Sequence, residues 1–197
     1  MVLATLAMLV RNAVILGLLA PGALLNSVIP LGLMLACTSI IVVLARRADG
    51  AALKRGEKPT EPVPAMQSPF SLTAALTFGV IFLGLQIAGT LAQRALGTVG
   101  FYGVSVAGGM VSSASAVAAA GSLAAAARLP LHVAGTGAII ASLVSAAVNL
   151  PIVARLGGDR ALTRRLAWTL SGIVMLGVVG TLIQAHMADW LLLPLAP

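Results

Sequence analysis

Long apolar runs separated by short polar breaks dominate the chain. The first run is about Val2 to Leu19, closed by Pro21-Gly22. A short neutral turn from Asn26 to Pro30 leads to a second run, about Pro30 to Ala45, which Arg46-Arg47 end. Pro30 suits a helix start because its fixed φ is pre-set for the first turn. A third run covers about Phe70 to Leu91 and stops at Gln93-Arg94; Ser68-Pro69 or Ser71 is its candidate cap. After the segment Val99 to Ala127 come runs at about Leu131 to Val153 and Leu166 to Ile183. Several reach the ~20 residues that cross a ~30 Å hydrocarbon core. The pattern predicts an all-α protein, a polytopic integral membrane helical bundle with five to six transmembrane segments.

Residues 46–69 are the one polar stretch, with five Lys or Arg, three acids and four Pro. They read as a solvated cytoplasmic linker whose basic residues can touch anionic lipid. Residues 1–45 then form a first helical pair and 70–197 the main bundle of a single membrane domain.

Val99–Ala127 is unlike the other runs. Of its 29 residues, 5 are Gly, 10 Ala and 5 Ser, and none is charged. Side chains this small bury area only where other helices approach the backbone closely. The segment is expected inside the bundle, broken or re-entrant, with its centre at Gly108-Gly109 and Ser112, Ser113 and Ser115 beside it.

Composition agrees with the pattern. The chain of 197 residues is 59% hydrophobic and 9% charged, where soluble domains carry about 25% charge. The net charge of +7 does not point to nucleic acid. Its Lys and Arg sit at the ends of apolar runs, as in cytoplasmic loops, with no interleaved aromatics for base stacking. The single cysteine, Cys37, reads as a small buried apolar residue.

Charge also tests the path of the chain. If every apolar segment crosses, the basic loops show no bias: six charges face five. If 99–127 enters and leaves on one side, the five basic residues of 46–69 and the four of 155–165 share a side. Only Arg94 and Arg128 then lie opposite. The positive-inside rule favours this second scheme. One long tilted helix is the alternative for 29 residues.

Polar residues within the runs are the candidates for a pathway or binding site. Arg11 lies near the middle of its run, where a charge costs ~2.5–3.5 kcal/mol on insertion scales and so marks an anion contact, a gate or a structural charge. Asn12, Gln86 and Asn149 suit interhelical hydrogen bonds. Ser112, Ser113 and Ser115, with Gly108 and Gly109, would line a site if the helix breaks there. Ala7–Val14 resembles Ser145–Ile152, each with a polar residue after Val, which hints at an internal repeat.

The five acids, Asp49, Glu57, Glu61, Asp159 and Asp189, all lie in loops or near the end. No predicted span carries a carboxylate for a dehydrated divalent cation or for proton coupling. His132 and His186 are far apart, and no P-loop, Rossmann or zinc spacing occurs. No enzyme, no cofactor and no metal site is expected.

The run from Ser68 to Ala125, with its SPFSL start and its Gly108-Gly109-Met110-Val111-Ser112-Ser113 motif, carries a family resemblance. Ala134-Gly135-Thr136-Gly137, Ala146–Leu150 and the earlier Met8-Leu9-Val10-Arg11 extend it. The chain resembles the uncharacterised transmembrane domain that follows the MgtC/SapB domain in bacterial and archaeal membrane proteins, and corresponds to the latter part of such proteins. The resemblance implies a multi-pass protein of the cytoplasmic (inner) membrane. The expected function is transporter-like or channel-like, with a non-transporting regulatory or scaffolding subunit as the alternative. The expected partners are the lipid bilayer, other copies or other membrane helices, and a small ion or solute.

Overall fold

The computed structural model describes residues 2–53, 72–156 and 160–192, and these are almost wholly helical. In chain order the helices are α1 (Val2–Leu19), α2 (Pro21–Leu25), α3 (Val28–Leu53), α4 (Leu72–Val111), α5 (Ser113–Ala125), α6 (Leu131–Leu156) and α7 (Arg160–Leu192). Three stretches are long and apolar enough to cross a membrane: Val28–Arg47, Leu72–Val111 and Leu131–Val148. Leu3–Leu19, Ser113–Ala125 and Trp168–Gln184 are shorter apolar helices.

Several boundaries differ from the sequence reading, and α7 extends beyond the expected Leu166–Ile183 at both ends. Pro21-Gly22, expected as a breaker, instead opens the short α2, which Asn26 and Ser27 close by donating from their side chains to the carbonyls of Gly22 and Ala23, and α3 already begins at Val28 within the expected turn. α3 runs past Arg46-Arg47 to Leu53. Arginine and alanine are good helix formers, so a change in polarity ends an apolar face without ending the helix. The rest of the polar linker and the cap expected at 68–71 lie outside the described residues.

α4 does not run straight. At Gly97 the backbone takes φ 64° and ψ −149°, a conformation essentially restricted to glycine. The chain reverses there into two arms, 72–96 and 98–111. Leu85 lies against Gly108, although 23 residues of straight helix would hold them ~35 Å apart. A second sharp turn follows at Ser112, whose φ of −160° and ψ of 103° are extended. It brings Ala116 back to Gly108, and further along Leu123 and Phe101 both reach Gly89. Residues 98–111 and α5 are thus two short helices lying side by side. The break falls at Ser112; the Gly108-Gly109 pair, where it was expected, is helical.

α1, α6 and the first arm of α4 cover α5, while Val99, Val106, Met110 and Val111 leave one face of 98–111 exposed; α3 and α7 pack beyond, on α1 and α6. α6 packs on both arms of the hairpin, and α1 packs on α5 through Leu16, Leu19 and Gly121. Eleven of the 13 residues of α5 are buried. One apolar cluster joins α1, α2, Leu31 of α3, Phe101, α5 and α6; a second joins α1, α3 and α7 around Leu9, Met34, Leu170 and Ile173, with Cys37 half-buried beside it. The contacts also order the two ends of the bundle. Gly22 meets Leu131, Gly180 meets Pro30, and Gln184 donates to the Leu25 carbonyl. The α2–α3 turn, the start of α6 and the end of α7 therefore share an end with Arg94 and Arg128. Arg46, Arg47 and the start of α7 lie at the opposite end.

Candidate functional site

Polar groups follow the seam between the first arm of α4 and α5. At its inner end Ser112 caps α5: its Oγ accepts from the Ser115 N–H at 3.3 Å and lies 3.0 Å from the Ser115 Oγ. Ser115 is fully buried, and its Oγ reaches the Phe78 carbonyl across the seam at 3.5 Å. Phe78 is sixteen residues before Arg94, so this turn lies ~24 Å in from the Arg94 end. Ser113 is buried next to it. Further along, Gln86 Nε2 donates to Ser122 Oγ at 2.6 Å, and Thr90 Oγ1 donates to the Gln86 carbonyl at 2.8 Å.

The seam opens at its outer end. A cavity of about 280 Å³ is lined by Thr90, Gln93, Arg94 and Arg128 among others. A second, of about 200 Å³, shares Thr90 and Arg128 and reaches Gln86, Ile87 and Leu91. Gln93 Oε1 is buried without a hydrogen-bond partner. Arg128 is held by the way α5 ends. Its N–H donates to the Leu123 carbonyl and the Ala127 N–H to Ala124, the paired bonds of a Schellman turn. That turn puts Ala127 at φ 53°, where glycine is usual.

The inner end is tightly closed. A Cβ on Gly108 would lie 3.0 Å from both Leu85 and Ala116, and one on Gly109 only 2.5 Å from the Ala141 carbonyl oxygen. Gly109 lets α4 and α6 touch backbone to backbone, and Gly108 lets Leu85 and Ala116 close over the seam. Between Leu85, Ser105 and Ala116 only about 10 Å³ is left, roughly the room of one water.

Of the expected site residues, Gln86, Gly108, Ser112 and Ser115 come together along the seam, Ser113 is buried at the start of α5, and Gly109 lies beside the seam against α6. Asn12 does not. It is 2% exposed between α1 and α6, where its Nδ2 donates to Ser142 Oγ at 3.0 Å and its Oδ1 has no partner. Its neighbour Arg11 is exposed on the outer face of α1. The side chain of Asn149 lies outside the described residues. Thr90, Gln93, Arg94, Ser122 and Arg128 were missed. The spacing of Gln86, Thr90, Gln93 and Arg94 by three and four residues, one face of a helix, is the signal that could have found them. Among the described residues no three His, Cys, Asp or Glu side chains gather as a metal site.

These features define a class: an apolar, all-helical bundle built around a broken hairpin, with a polar seam that opens at one end. The chain belongs to the family described as a domain of unknown function (DUF4010), whose model matches residues 1–157. That match takes in the hairpin and the whole seam. No curated protein and no solved structure matches the chain.

Proposed function

We propose that this protein is a multi-pass protein of a bacterial or archaeal cytoplasmic membrane, of transporter or channel type, with its pathway along the α4–α5 seam. One observation carries the reading. The hairpin begins and ends at the same end of the bundle, with Arg94 and Arg128 on one cavity. On this reading five helices cross (α1, α3, the first arm of α4, α6 and α7), and 98–125 is re-entrant. The basic residues of 46–69 and 155–165 then share the cytoplasmic side, as the positive-inside rule asks. A helix broken at membrane depth is tolerated where protein buries it or where it lines a pathway. Transporter folds place substrate at such half-helix ends. The reading is non-enzymatic, since residues 62–158 hold no acid and the seam pairs no nucleophile with a base.

Volume recovery of proteoliposomes in chloride, phosphate and glycerol gradients tests it. Recovery faster than in protein-free vesicles is expected with at least one solute, and Gly109→Leu should abolish it while Leu76→Ala does not.

A second reading is a non-transporting regulatory or scaffolding subunit, such as a partner of an MgtC-like portion. The closed inner seam favours it, as does the exposed apolar stripe Leu72, Leu76, Val80, Leu83, Ile87 and Leu91. That stripe suits lipid, other membrane helices or another copy of the chain. On this reading no solute moves, and Gly109→Leu changes assembly alone.

A further inference from the structure

We propose that the cavity between Arg94 and Arg128 is a binding site for a phosphate-type oxyanion. The site goes beyond the transport reading, because binding there requires no flux. Two arginines from different elements, Arg94 near the end of the first α4 arm and Arg128 two residues past the α5 C-cap, line one cavity of about 280 Å³. That is close to the smallest ligand pockets, ~300 Å³. Residues 62–158, which carry both arginines, hold no Asp or Glu. Two like charges facing one cavity repel, and an anion between them turns that repulsion into two charge-assisted hydrogen bonds.

The wall adds neutral partners. Thr90, whose hydroxyl proton goes to the Gln86 carbonyl, offers its oxygen as an acceptor for a protonated phosphate oxygen, and the Gln93 amide has a buried oxygen with nothing to accept from. A rotation of the Gln93 side chain would bring that amide to the cavity, its oxygen to a protonated phosphate oxygen or its N–H to the anion. The Schellman turn fixes where Arg128 leaves the helix, at the expense of a left-handed alanine. Strain of this kind collects at ligand clamps.

The same chemistry has two sources. One is a phospholipid headgroup, whose chains would continue over Ile87 and Leu91 of the adjoining cavity. The other is free phosphate.

Arginine modification by phenylglyoxal, mapped by mass spectrometry on the whole chain in neutral detergent, tests the site without a variant. Inorganic phosphate, or phosphatidylglycerol mixed into the micelles, should protect Arg94 and Arg128 saturably and leave Arg46 and Arg47 reactive. Protection by phosphate marks a free-anion site; protection by phosphatidylglycerol and not by phosphate marks a headgroup site. In a thermal-shift titration with the protecting probe, Arg94→Gln combined with Arg128→Gln should weaken apparent affinity at least about tenfold, and Arg46→Gln less than about twofold. The proposal fails if neither probe protects the pair, or if the double variant binds the probe as tightly as the parent. Binding without solute movement would count against the transport reading alone.

Discussion

Ala127 sits at φ 53°, where an L side chain crowds its own carbonyl. Glycine there removes the conflict and keeps both Schellman bonds. Ala127→Gly should therefore raise stability by up to about 1 kcal/mol, read as a higher Tm in detergent. Asn12 poses a different problem, because half of its amide is satisfied and half is not. Ser142 also donates to the Ala138 carbonyl, so it keeps a partner when Asn12 is lost. A double-mutant cycle of Asn12→Ala with Ser142→Ala should give a coupling near 0.6 kcal/mol, the mean for such pairs in membrane bundles. The sequence marked Asn12 as an interhelical hydrogen-bonder, and that part was legible because a lone amide in an apolar run has few other uses. Its separation from Arg11 was not legible. Adjacent helical residues point about 100° apart, and only the neighbours decide which of them is enclosed.

Among the elements, the helical runs could be read because hydrophobicity and length set them. The two turns of the hairpin region could not. Gly108-Gly109 drew the break by composition, yet glycine inside a helix serves equally for close packing, and here Ala141 lies against it. The real turns carry quieter signals: a glycine three residues after Arg94, and a serine that can cap the next helix. Gly97 should consequently be the sensitive glycine of α4. Gly97→Ala is expected to cost about 1–3 kcal/mol, since its φ and ψ suit glycine alone. Gly84→Ala, at an open helical position, should stabilise by about 0.5–1 kcal/mol. Unfolding midpoints of the two variants, with opposite signs, check the reversal at Gly97.

The arrangement of the whole molecule sorts charge between its ends. Arg94 and Arg128 share one end, and Arg46, Arg47, Arg160 and Arg164 lie at the other. In a Cys37→Ala background, cysteines at positions 94 and 128 should react with an impermeant reagent from the same side of the membrane, and a cysteine at 160 from the opposite side. Labelling of 94 and 128 from opposite sides would reject the re-entrant hairpin. Loop charge alone favoured this arrangement, because an even spread of Lys and Arg becomes a strong bias once 99–127 turns back. The outer cavity escaped notice for a related reason: its two arginines are 34 residues apart and meet only after the chain has reversed twice.

The enclosure of α5 also bears on how the protein is made. A nascent chain that has emerged as far as Arg128 holds both short helices of the hairpin but lacks α6, the wall against which they close. Alanine and serine give α5 little affinity of its own for lipid, and of the three walls that shelter it, α1, α4 and α6, the last has not yet been synthesised. On the proposed multi-pass reading, the hairpin is the kind of segment that waits beside the insertion machinery until its cover arrives. Chains halted after Arg128 should be cleared by proteases, whereas chains halted after Leu156 should persist, which a pulse–chase series of truncations would show.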